Sequence, residues 1–200
     1  MKLYKFRSLE VFSKIEDILY HNRFYMANWR ELNDPMEGYF TSIFYDNEVN
    51  YKSFLQDFID YKVSLKICSF SQTIKPILLW SHYANQHRGI AIEITLNKSE
   101  FPNLYKVNYV SRIPEIDFAA SNSQINVLTN KVSIWSHERE YRVIDNRANI
   151  SLGTISGIYF GVRTSRDDKQ RVKNIVGNSI SLYNTRIDFN KNHVKMRELY

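Results

Sequence analysis

A chain of 200 residues, of which 44% are hydrophobic and 14% aromatic, is long enough to build one substantial core. No stretch approaches the ~20 apolar residues that a membrane helix needs, and the first residues lack an apolar secretion signal, so we expect a cytoplasmic protein with no membrane partner. The single cysteine, Cys68, excludes an intramolecular disulfide and a cysteine-based metal site, and we expect it to be a buried small hydrophobic residue.

The net charge of +6 comes from the last third of the chain. Residues 1–140 carry 16 basic and 16 acidic groups, whereas residues 141–200 carry 11 basic and 5 acidic groups. A one-sided basic surface indicates a polyanionic partner, such as nucleic acid or a phosphate-rich cofactor. The alternative is a solvated face that only keeps the protein soluble.

The first half of the chain alternates short strands with helices. Apolar residues follow helical spacing from Val11 to Leu19, and Ser8 is in position to cap that helix. In chain order we predict a strand at LYKF, a helix after Ser8, a strand at RFYMAN, a bend in WRELNDPMEG, an amphipathic helix over residues 50–62 and a buried strand at SLKICSFS.

The second half contains more strands. We predict a short helix at PILLWSHYANQ, opened by Pro76 and ended by Gly89, then strands at IAIEITL, LYKVNYV, EYRVID, ISGIYFG and SISLYN, with a polar helix between Thr164 and Ile175. No Gly-rich dinucleotide-binding turn is present, and the helices do not alternate strictly with the strands. The prediction is therefore a single α+β domain over residues 1–200, with mostly antiparallel strands and interspersed helices.

A polar cluster of Asn33, Asp34 and Glu37 surrounds Pro35. Asx-type hydrogen bonds that fix the turn are its structural interpretation. In the functional interpretation, polar side chains on this rigid turn line a substrate pocket.

The segment EREYR carries the second polar cluster. In a strand, alternate side chains share a face, so Glu138, Glu140 and Arg142 are expected to line one surface. The alternative is a half-exposed edge strand whose charges simply face water.

Several sequence blocks occur in one order over residues 1 to about 162: LYKFRS, LNDPMEG, CSFS, LLWSHYANQHRGIAIEI, WSHEREYRV and ISGIYFG, with Lys131 before the fifth. Together they resemble an uncharacterised bacterial family, defined as a domain of unknown function and related to abortive-infection proteins found near phage-defence loci. The resemblance implies a toxin or phage-defence effector, with a cognate antitoxin as a partner.

A second resemblance concerns chemistry. ADP-ribosyltransferases of the arginine–serine–glutamate type carry an Arg on the first strand, a Ser-x-Ser motif on a middle strand and a Glu-x-Glu motif near a later strand. Arg7, then Ser69 and Ser71, then Glu138 and Glu140 are similar to this pattern and occur in that order. The resemblance implies an ADP-ribosyltransferase-like fold, NAD as the substrate, and serine hydroxyls that position the nicotinamide ribose and the catalytic glutamate.

The resemblance also implies roles for the charged residues. Departure of nicotinamide leaves an oxocarbenium-like ribose, which the Glu140 carboxylate would stabilise, while Glu138 would orient or deprotonate an acceptor on nucleic acid or protein. Arg7 would hold the pyrophosphate or a ribose phosphate through two N–H groups. The alternative for Arg7 is a surface pair with Glu10.

The block from Trp80 to Arg88 holds the densest group of versatile side chains. On a helix, Trp80, Tyr83 and His87 share a face, and His82 lies one residue's rotation away. The functional interpretation makes His82 a catalytic residue and Tyr83 a wall for the nicotinamide or adenine ring, with Asn33 and Asp34 as further NAD contacts. In the structural interpretation, Trp80 and Tyr83 belong to the core and His82 is a buried, hydrogen-bonded histidine.

Two further functions stay open at the level of sequence. Clustered carboxylates with a lysine suit Mg²⁺-assisted phosphodiester chemistry, so a metal-dependent nuclease built from Asp34, Glu37, Lys131, Glu138 and Glu140 is one alternative. The five histidines form no HExxH motif, and we expect no resident metal. The other alternative is a non-catalytic antitoxin or sensor module that binds a ligand without turnover.

Overall fold

The structure is a computed structural model that describes residues 1–42, 48–117, 120 and 122–198. The described residues form five α-helices, namely α1 Phe12–His21, α2 Glu48–Ser64, α3 Ile77–Tyr83, α4 Ser123–Thr129 and α5 Arg166–Val176. They also form fifteen strands, namely β1 Lys2–Arg7, β2 Phe24–Tyr25, β3 Ala27–Asn28, β4 Thr41–Ser42, β5 Lys66–Ser71, β6 Ile90–Thr95, β7 Leu104–Lys106, β8 Asn108–Val110, β9 Glu115–Ile116, β10 Asn130–Val132, β11 Glu140–Asp145, β12 Asn149–Ile150, β13 Thr154–Phe160, β14 Ser181–Asp188 and β15 His193–Glu198.

The chain divides into two compact units. Unit 1 comprises Met1–Phe24, Phe70–Phe101 and Ile150–Tyr200, and unit 2 comprises Tyr25–Ser69 and Pro102–Asn149. Helices and mostly antiparallel strands confirm the predicted α+β class. The prediction of one domain over residues 1–200 stays a prediction.

Unit 1 is built on strands in the order β15-β14-β13-β6-β1. All of these neighbours are antiparallel except β13 and β14, which run parallel and are connected through α5. One core cluster joins Phe6 of β1, Leu79 and Trp80 of α3, Tyr159 of β13 and Val194 of β15. This packing holds α3 against the strands.

Unit 2 contains the antiparallel pair β11 and β7, and the residues Lys66–Ser69 of β5 lie beside β11 and β3. Its largest described core cluster contains Leu65, Ile67, Leu128 and Ile144. A second cluster of Phe58, Ile116 and Val127 packs α2 against α4. The apolar residues of short strands and helices therefore meet in two small cores.

Several elements follow the sequence prediction closely. Helix α2 contains the predicted residues 50–62, and α5 begins two residues after Thr164. The capping serine of α5 is Ser165, whose hydroxyl accepts a hydrogen bond from the backbone N–H of Asp168. Cys68 is buried in β5, as expected for a small hydrophobic residue.

Two local predictions in the first half of the chain were wrong. Ser8 does not cap α1, because that helix begins at Phe12 after Val11, and the Ser8 hydroxyl instead bonds to the backbone and carboxylate of Glu10. RFYMAN forms two short strands rather than one. The interruption falls at Met26, whose side chain is buried and whose backbone N–H donates to the Ala148 carbonyl at 2.9 Å.

Within the described part of the chain, no helix has both the length and the apolar character to cross a membrane.

Candidate functional site

Five charged side chains are buried together in unit 2: Glu37, Lys131, Glu138, Glu140 and Arg142. We call this group the ion cluster. Its three carboxylates and two cations leave a formal charge of −1. Such groups are stable in a protein interior only when each charge is paired and hydrogen-bonded.

Arg142 is the centre of the ion cluster and is completely buried in β11. Its Nε donates to Glu140 Oε1 at 2.8 Å, and its Nη2 donates to Glu140 Oε2 at 3.0 Å. Its Nη1 and Nη2 donate to the two oxygens of Glu37 at 2.8 and 2.5 Å, and Nη1 also donates to the Leu128 carbonyl at 2.6 Å. These five bonds use all five N–H groups of the guanidinium.

Lys131 is the second cation of the ion cluster. Its Nζ donates to Glu138 Oε2 at 2.6 Å and to Glu140 Oε2 at 3.1 Å, and it lies 3.4 Å from Glu37 Oε1. The ammonium also lies over the Trp135 ring, 5.0 Å from the ring centre. Burial lowers the pKa of Lys131, but the three carboxylates outweigh burial and raise it, so the side chain remains a cation.

Glu140 carries the most perturbed carboxylate of the ion cluster. Burial alone would raise its pKa, but the charges of Arg142 and Lys131, together with hydrogen bonds from Arg142 and Ser69, lower the pKa to about 2. Its backbone N–H donates to the Tyr109 hydroxyl at 2.9 Å, and burial raises the pKa of that tyrosine to about 12. Glu140 is therefore an anion at every physiological pH.

The strand interpretation of EREYR was wrong for Glu138. Residues Ser133–Glu138 form a 3-10 helix, and Arg139 adopts a left-handed conformation with φ of 46° before β11 begins at Glu140. Glu138 thus contacts Lys131 from the end of this 3-10 helix, and not because alternate residues of a strand share a face. The water-facing alternative was also wrong, because Glu138, Glu140 and Arg142 are all buried.

The two serines of the Ser-x-Ser motif have different surroundings. Ser69 lies in unit 2, where its hydroxyl oxygen is buried and helps to lower the pKa of the Glu140 carboxylate. Ser71 lies in unit 1, where its hydroxyl donates to the Thr73 carbonyl at 2.8 Å and accepts from the Thr73 N–H at 3.1 Å. Ser71 therefore fixes the turn that follows β5.

The turn around Pro35 follows its structural interpretation. The Asp34 carboxylate accepts a hydrogen bond from the Met36 N–H at 2.9 Å, and the Asp34 carbonyl accepts one from the Glu37 N–H at 3.1 Å. Asp34 is buried, whereas Asn33 is exposed. This Asx turn aims Glu37 at Arg142, so its main consequence is the placement of one carboxylate of the ion cluster.

The block from Trp80 to Arg88 lies in unit 1. Trp80 belongs to the core, as the structural interpretation predicted: it is fully buried, packs edge-on against Phe6 and donates from Nε1 to the Ile74 carbonyl at 2.7 Å. His82 is exposed, so its interpretation as a buried histidine was wrong. Tyr83 is half-buried, and its ring lies 6.1 Å from that of His82.

The helical face predicted for Trp80, Tyr83 and His87 does not extend to His87. Helix α3 ends at Tyr83, and Asn85, Gln86 and His87 all have positive φ. His87 nevertheless reaches Trp80 through this turn, and the two rings stack with centres 6.3 Å apart.

Arg7 is the last residue of β1 in unit 1, half-buried and paired in register with Ile90. Its proposed contact with phosphate and its alternative pair with Glu10 both stay predictions. Of the predicted site residues, unit 2 holds Asn33, Asp34, Ser69, Glu138 and Glu140, and unit 1 holds Arg7, Ser71, His82 and Tyr83. Ser69, Glu138 and Glu140 come together at the ion cluster, whereas the roles expected of Arg7 and His82 stay predictions.

Sequence reasoning missed how some buried charges pair. Glu93, in the apolar strand IAIEITL, accepts hydrogen bonds in unit 1 from the hydroxyls of Tyr4, Tyr159 and Ser156 at 3.1, 2.8 and 2.8 Å, and pairs with Lys2 at 2.9 Å. A charged residue in a buried strand needs such partners. Arg142 is likewise a single charged residue in the apolar part of the strand EYRVID. Its position indicates that it needs a partner but does not identify that partner as Glu37.

Among residues 1–42, 48–117, 120 and 122–198, no group of three or more His, Cys, Asp or Glu side chains is arranged to hold a metal ion. The nuclease alternative therefore gains no support from the described residues. No protein-family model, no curated protein and no solved structure shows significant similarity to this chain.

Proposed function

We propose that this chain is an NAD-dependent ADP-ribosyltransferase-like enzyme, a toxin or phage-defence effector that modifies nucleic acid or protein. The observation that supports the proposal is the interaction of the buried Ser69 hydroxyl with the Glu140 carboxylate, whose pKa this hydroxyl helps to lower. It joins the serine and the glutamate that the resemblance to arginine–serine–glutamate transferases pairs. In this proposal, Ser69 orients the carboxylate that faces the ribose.

The charge of Glu140 suits the proposed chemistry. An oxocarbenium-like ribose is stabilised by a fixed negative charge in a site of low dielectric constant. Because its pKa is about 2, Glu140 is ionised throughout the physiological pH range. Glu138, bound to Lys131, then orients or deprotonates the acceptor, and the binding of the NAD phosphates by Arg7 stays a prediction.

Both oxygens of Glu140 are already bonded, so the proposal includes a displacement. Lys131 lies 3.1 Å from Glu140 Oε2 and 2.6 Å from Glu138 Oε2. As the ribose binds, the Lys131 ammonium leaves Glu140 and keeps its shorter bond to Glu138. Arg142 continues to hold Glu140 through Nε.

A second candidate is a non-catalytic antitoxin or sensor module. The observation that favours it is the saturation of Arg142, whose five N–H groups all have acceptors within unit 2. An ion cluster whose hydrogen bonds are satisfied without a ligand stabilises the fold. In this case a ligand would bind elsewhere without turnover.

The test incubates the purified chain with NAD labelled in its adenylate part and with a cell lysate, and measures nicotinamide release and label transfer. Glu140→Gln is compared with Asp145→Asn, which changes a carboxylate at the other end of the same strand. Turnover that is lost in Glu140→Gln and kept in Asp145→Asn supports the transferase. NAD binding without turnover supports the binding module. The NAD proposal is overturned if the chain neither binds NAD nor turns it over.

A further inference from the structure

Three successive residues of unit 1 adopt the left-handed backbone conformation: Asn85, Gln86 and His87, with φ of 44°, 53° and 69°. Residues other than glycine and, to a lesser extent, asparagine and aspartate rarely adopt this conformation, because the Cβ atom crowds the backbone carbonyl oxygen. Strain of this kind persists only where the surrounding structure enforces it, and it concentrates at binding and catalytic sites. The turn therefore indicates a functional position in the block that follows α3.

The surrounding backbone enforces this turn. The N–H of His87 donates to the Trp80 carbonyl at 3.1 Å, and the His87 carbonyl accepts from the N–H of Arg163 at 2.9 Å. A Cβ on Gly161 would lie 2.2 Å from the His87 carbonyl oxygen, and a Cβ on Gly89 would lie 2.1 Å from the Arg7 carbonyl oxygen. Three chain segments thus pack backbone against backbone around His87, and two glycines make the approach sterically feasible.

The His87 ring is buried and incompletely hydrogen-bonded. Its Nε2 lies 3.4 Å from the Ser81 hydroxyl oxygen, and that hydroxyl donates to the Ile77 carbonyl at 3.2 Å. Because the hydroxyl proton is used there, Nε2 of His87 is assigned as the N–H donor, and Nδ1 carries the lone pair. Within the described part of the chain, Nδ1 is buried and has no hydrogen-bond partner. A buried polar atom without a hydrogen-bond partner destabilises the fold and calls for a missing partner.

In the described part of the chain, Arg163 is the charged residue that acts on the pKa of His87. The backbone segments beside the turn also carry Arg88 and Arg7. Arg88 and Arg163 are exposed. Unit 1 as a whole carries 17 Lys and Arg against 9 Asp and Glu, a formal net charge of +8. The missing partner is therefore expected to be an anion.

The N-terminus of α5 does not supply this site. Ser165 and Asp168 already cap it, since the Ser165 hydroxyl donates to the Asp168 carboxylate at 2.7 Å and accepts from the Asp168 N–H. The first turn of the helix also contains Asp167. Two carboxylates repel an anion there, so the binding groups are the side chains of the strained turn and Arg163.

We propose that His87 and Arg163, with Arg88 at the rim, form a binding site for a phosphate ester, and that His87 is protonated at Nδ1 when the ester is bound. The imidazolium Nδ1–H and the Arg163 guanidinium each donate to a phosphate oxygen. The proton comes from a phosphomonoester that binds as its monoanion, or from solvent for a diester, so charge and protons balance. This inference does not rest on the transferase proposal.

The free protein fits this coupling. Burial, with the charge of Arg163, lowers the pKa of His87, so the ring is neutral near pH 7 in the absence of an anion. A phosphate between His87 and Arg163 screens the guanidinium and pairs with the imidazolium. Binding therefore raises the pKa of His87, and affinity increases as the pH falls from 8 to 6.

The experiment measures the His87 imidazole pKa by NMR titration of the full chain, with and without inorganic phosphate, in the wild type and in two arginine variants. Arg163→Ala removes the proposed phosphate contact. Arg166→Ala is the matched control, because Arg166 is an exposed arginine three positions along the same segment. We expect phosphate to raise the pKa by about one unit in the wild type and in Arg166→Ala, and Arg163→Ala to weaken binding at least about tenfold.

His87→Gln provides an independent test, because it keeps an amide near the ring position and abolishes the titration. The proposal predicts that this variant no longer binds phosphate more tightly as the pH falls from 8 to 6 and keeps residual affinity through Arg163. Phosphate that leaves the His87 pKa unchanged, or that binds equally to Arg163→Ala and the wild type, overturns the proposal.

The source of the phosphate ester is distinguished by two further ligands, adenosine 5′-monophosphate and a single-stranded oligothymidylate. Affinity for the oligonucleotide that falls steeply with salt indicates a nucleic-acid backbone, whereas tighter binding of the mononucleotide with a weak salt dependence indicates a nucleotide. The proposal is overturned if the protein binds neither the mononucleotide nor the oligonucleotide. None of these measurements uses NAD turnover, so failure here is separate from failure of the proposed function.

Discussion

Arg142 and Glu37 lie 105 positions apart in the chain, yet the two terminal nitrogens of the Arg142 guanidinium bond to the two carboxylate oxygens of Glu37 at 2.8 and 2.5 Å. The pair ties the Asx turn around Pro35 to strand β11. Because the same guanidinium also holds Glu140, the position of the candidate catalytic carboxylate depends on a turn far away in sequence.

Arg142→Leu should destabilise the protein by about 3–5 kcal/mol, because it leaves three buried carboxylates with one ammonium. Arg147→Ala is the control on the adjoining turn, where an exposed pair with Asp145 contributes little to stability. Urea unfolding measures both. Equal midpoints for the two variants would show that the ion cluster does not hold unit 2 together.

Acid should weaken the fold through Glu140. Its pKa in the folded protein is lowered from 4.5 to about 2, so its stabilising contribution is present above pH 4.5 and is lost as the pH falls towards 2. Unfolding midpoints should therefore decline over this range. Glu140→Gln should be less stable at pH 7 but should lose less stability on acidification, whereas Glu10→Gln, at an exposed position, should behave like the wild type.

Mild alkali should strengthen the fold through Lys62. Its Nζ is buried against the rings of Trp29 and Phe40 and donates to the Gly38 carbonyl at 2.6 Å, and burial lowers its pKa to about 8. The unfolded chain binds the proton up to about pH 10.5, so stability should rise between pH 8 and 10, by an amount on the order of 3 kcal/mol at most.

Above pH 10 this gain should reverse. The pKa values of Tyr4 and Tyr109 are raised to about 12 by burial, so stability falls once unfolded tyrosines ionise. Urea midpoints at pH 7, 8, 9 and 10 measure the rise in stability that is assigned to Lys62. Lys62→Met should flatten the rise, and an identical rise in this variant would assign it to other groups.

Ser69→Ala should reduce NAD turnover by about 10- to 100-fold with little change in NAD affinity, because the hydroxyl orients Glu140 and carries no charge. The substitution leaves the ion cluster intact, so unfolding midpoints should change little. Glu140→Gln should reduce turnover by ~10²-fold or more but should also destabilise the fold. A Ser69→Ala variant with wild-type kcat would contradict the proposed role of Ser69 in orienting Glu140.

Local patterns in the sequence were sufficient for the α+β class and for the elements with strong periodicity, such as α2 and α5. They also identified Cys68 and Trp80 as core residues, because apolar residues within apolar segments are buried in almost any packing. Boundaries that depend on backbone conformation were predicted less well. Arg139, in a left-handed conformation, separates Glu138 from β11, and His87 lies in the left-handed turn after α3. Neither position is a glycine, so the sequence does not indicate the left-handed conformation.

The sequence by itself determined that Arg142 and Glu93, set in apolar strands, would be buried charges in need of partners, since water cannot solvate them there. Tertiary structure alone decided which partners they have. Glu37 reaches Arg142 from an Asx turn, and Tyr159 reaches Glu93 from β13, over separations that no local spacing encodes. Ion pairs and hydrogen bonds act over about 3 Å in space and are indifferent to distance along the chain, so only the packed fold brings these groups together.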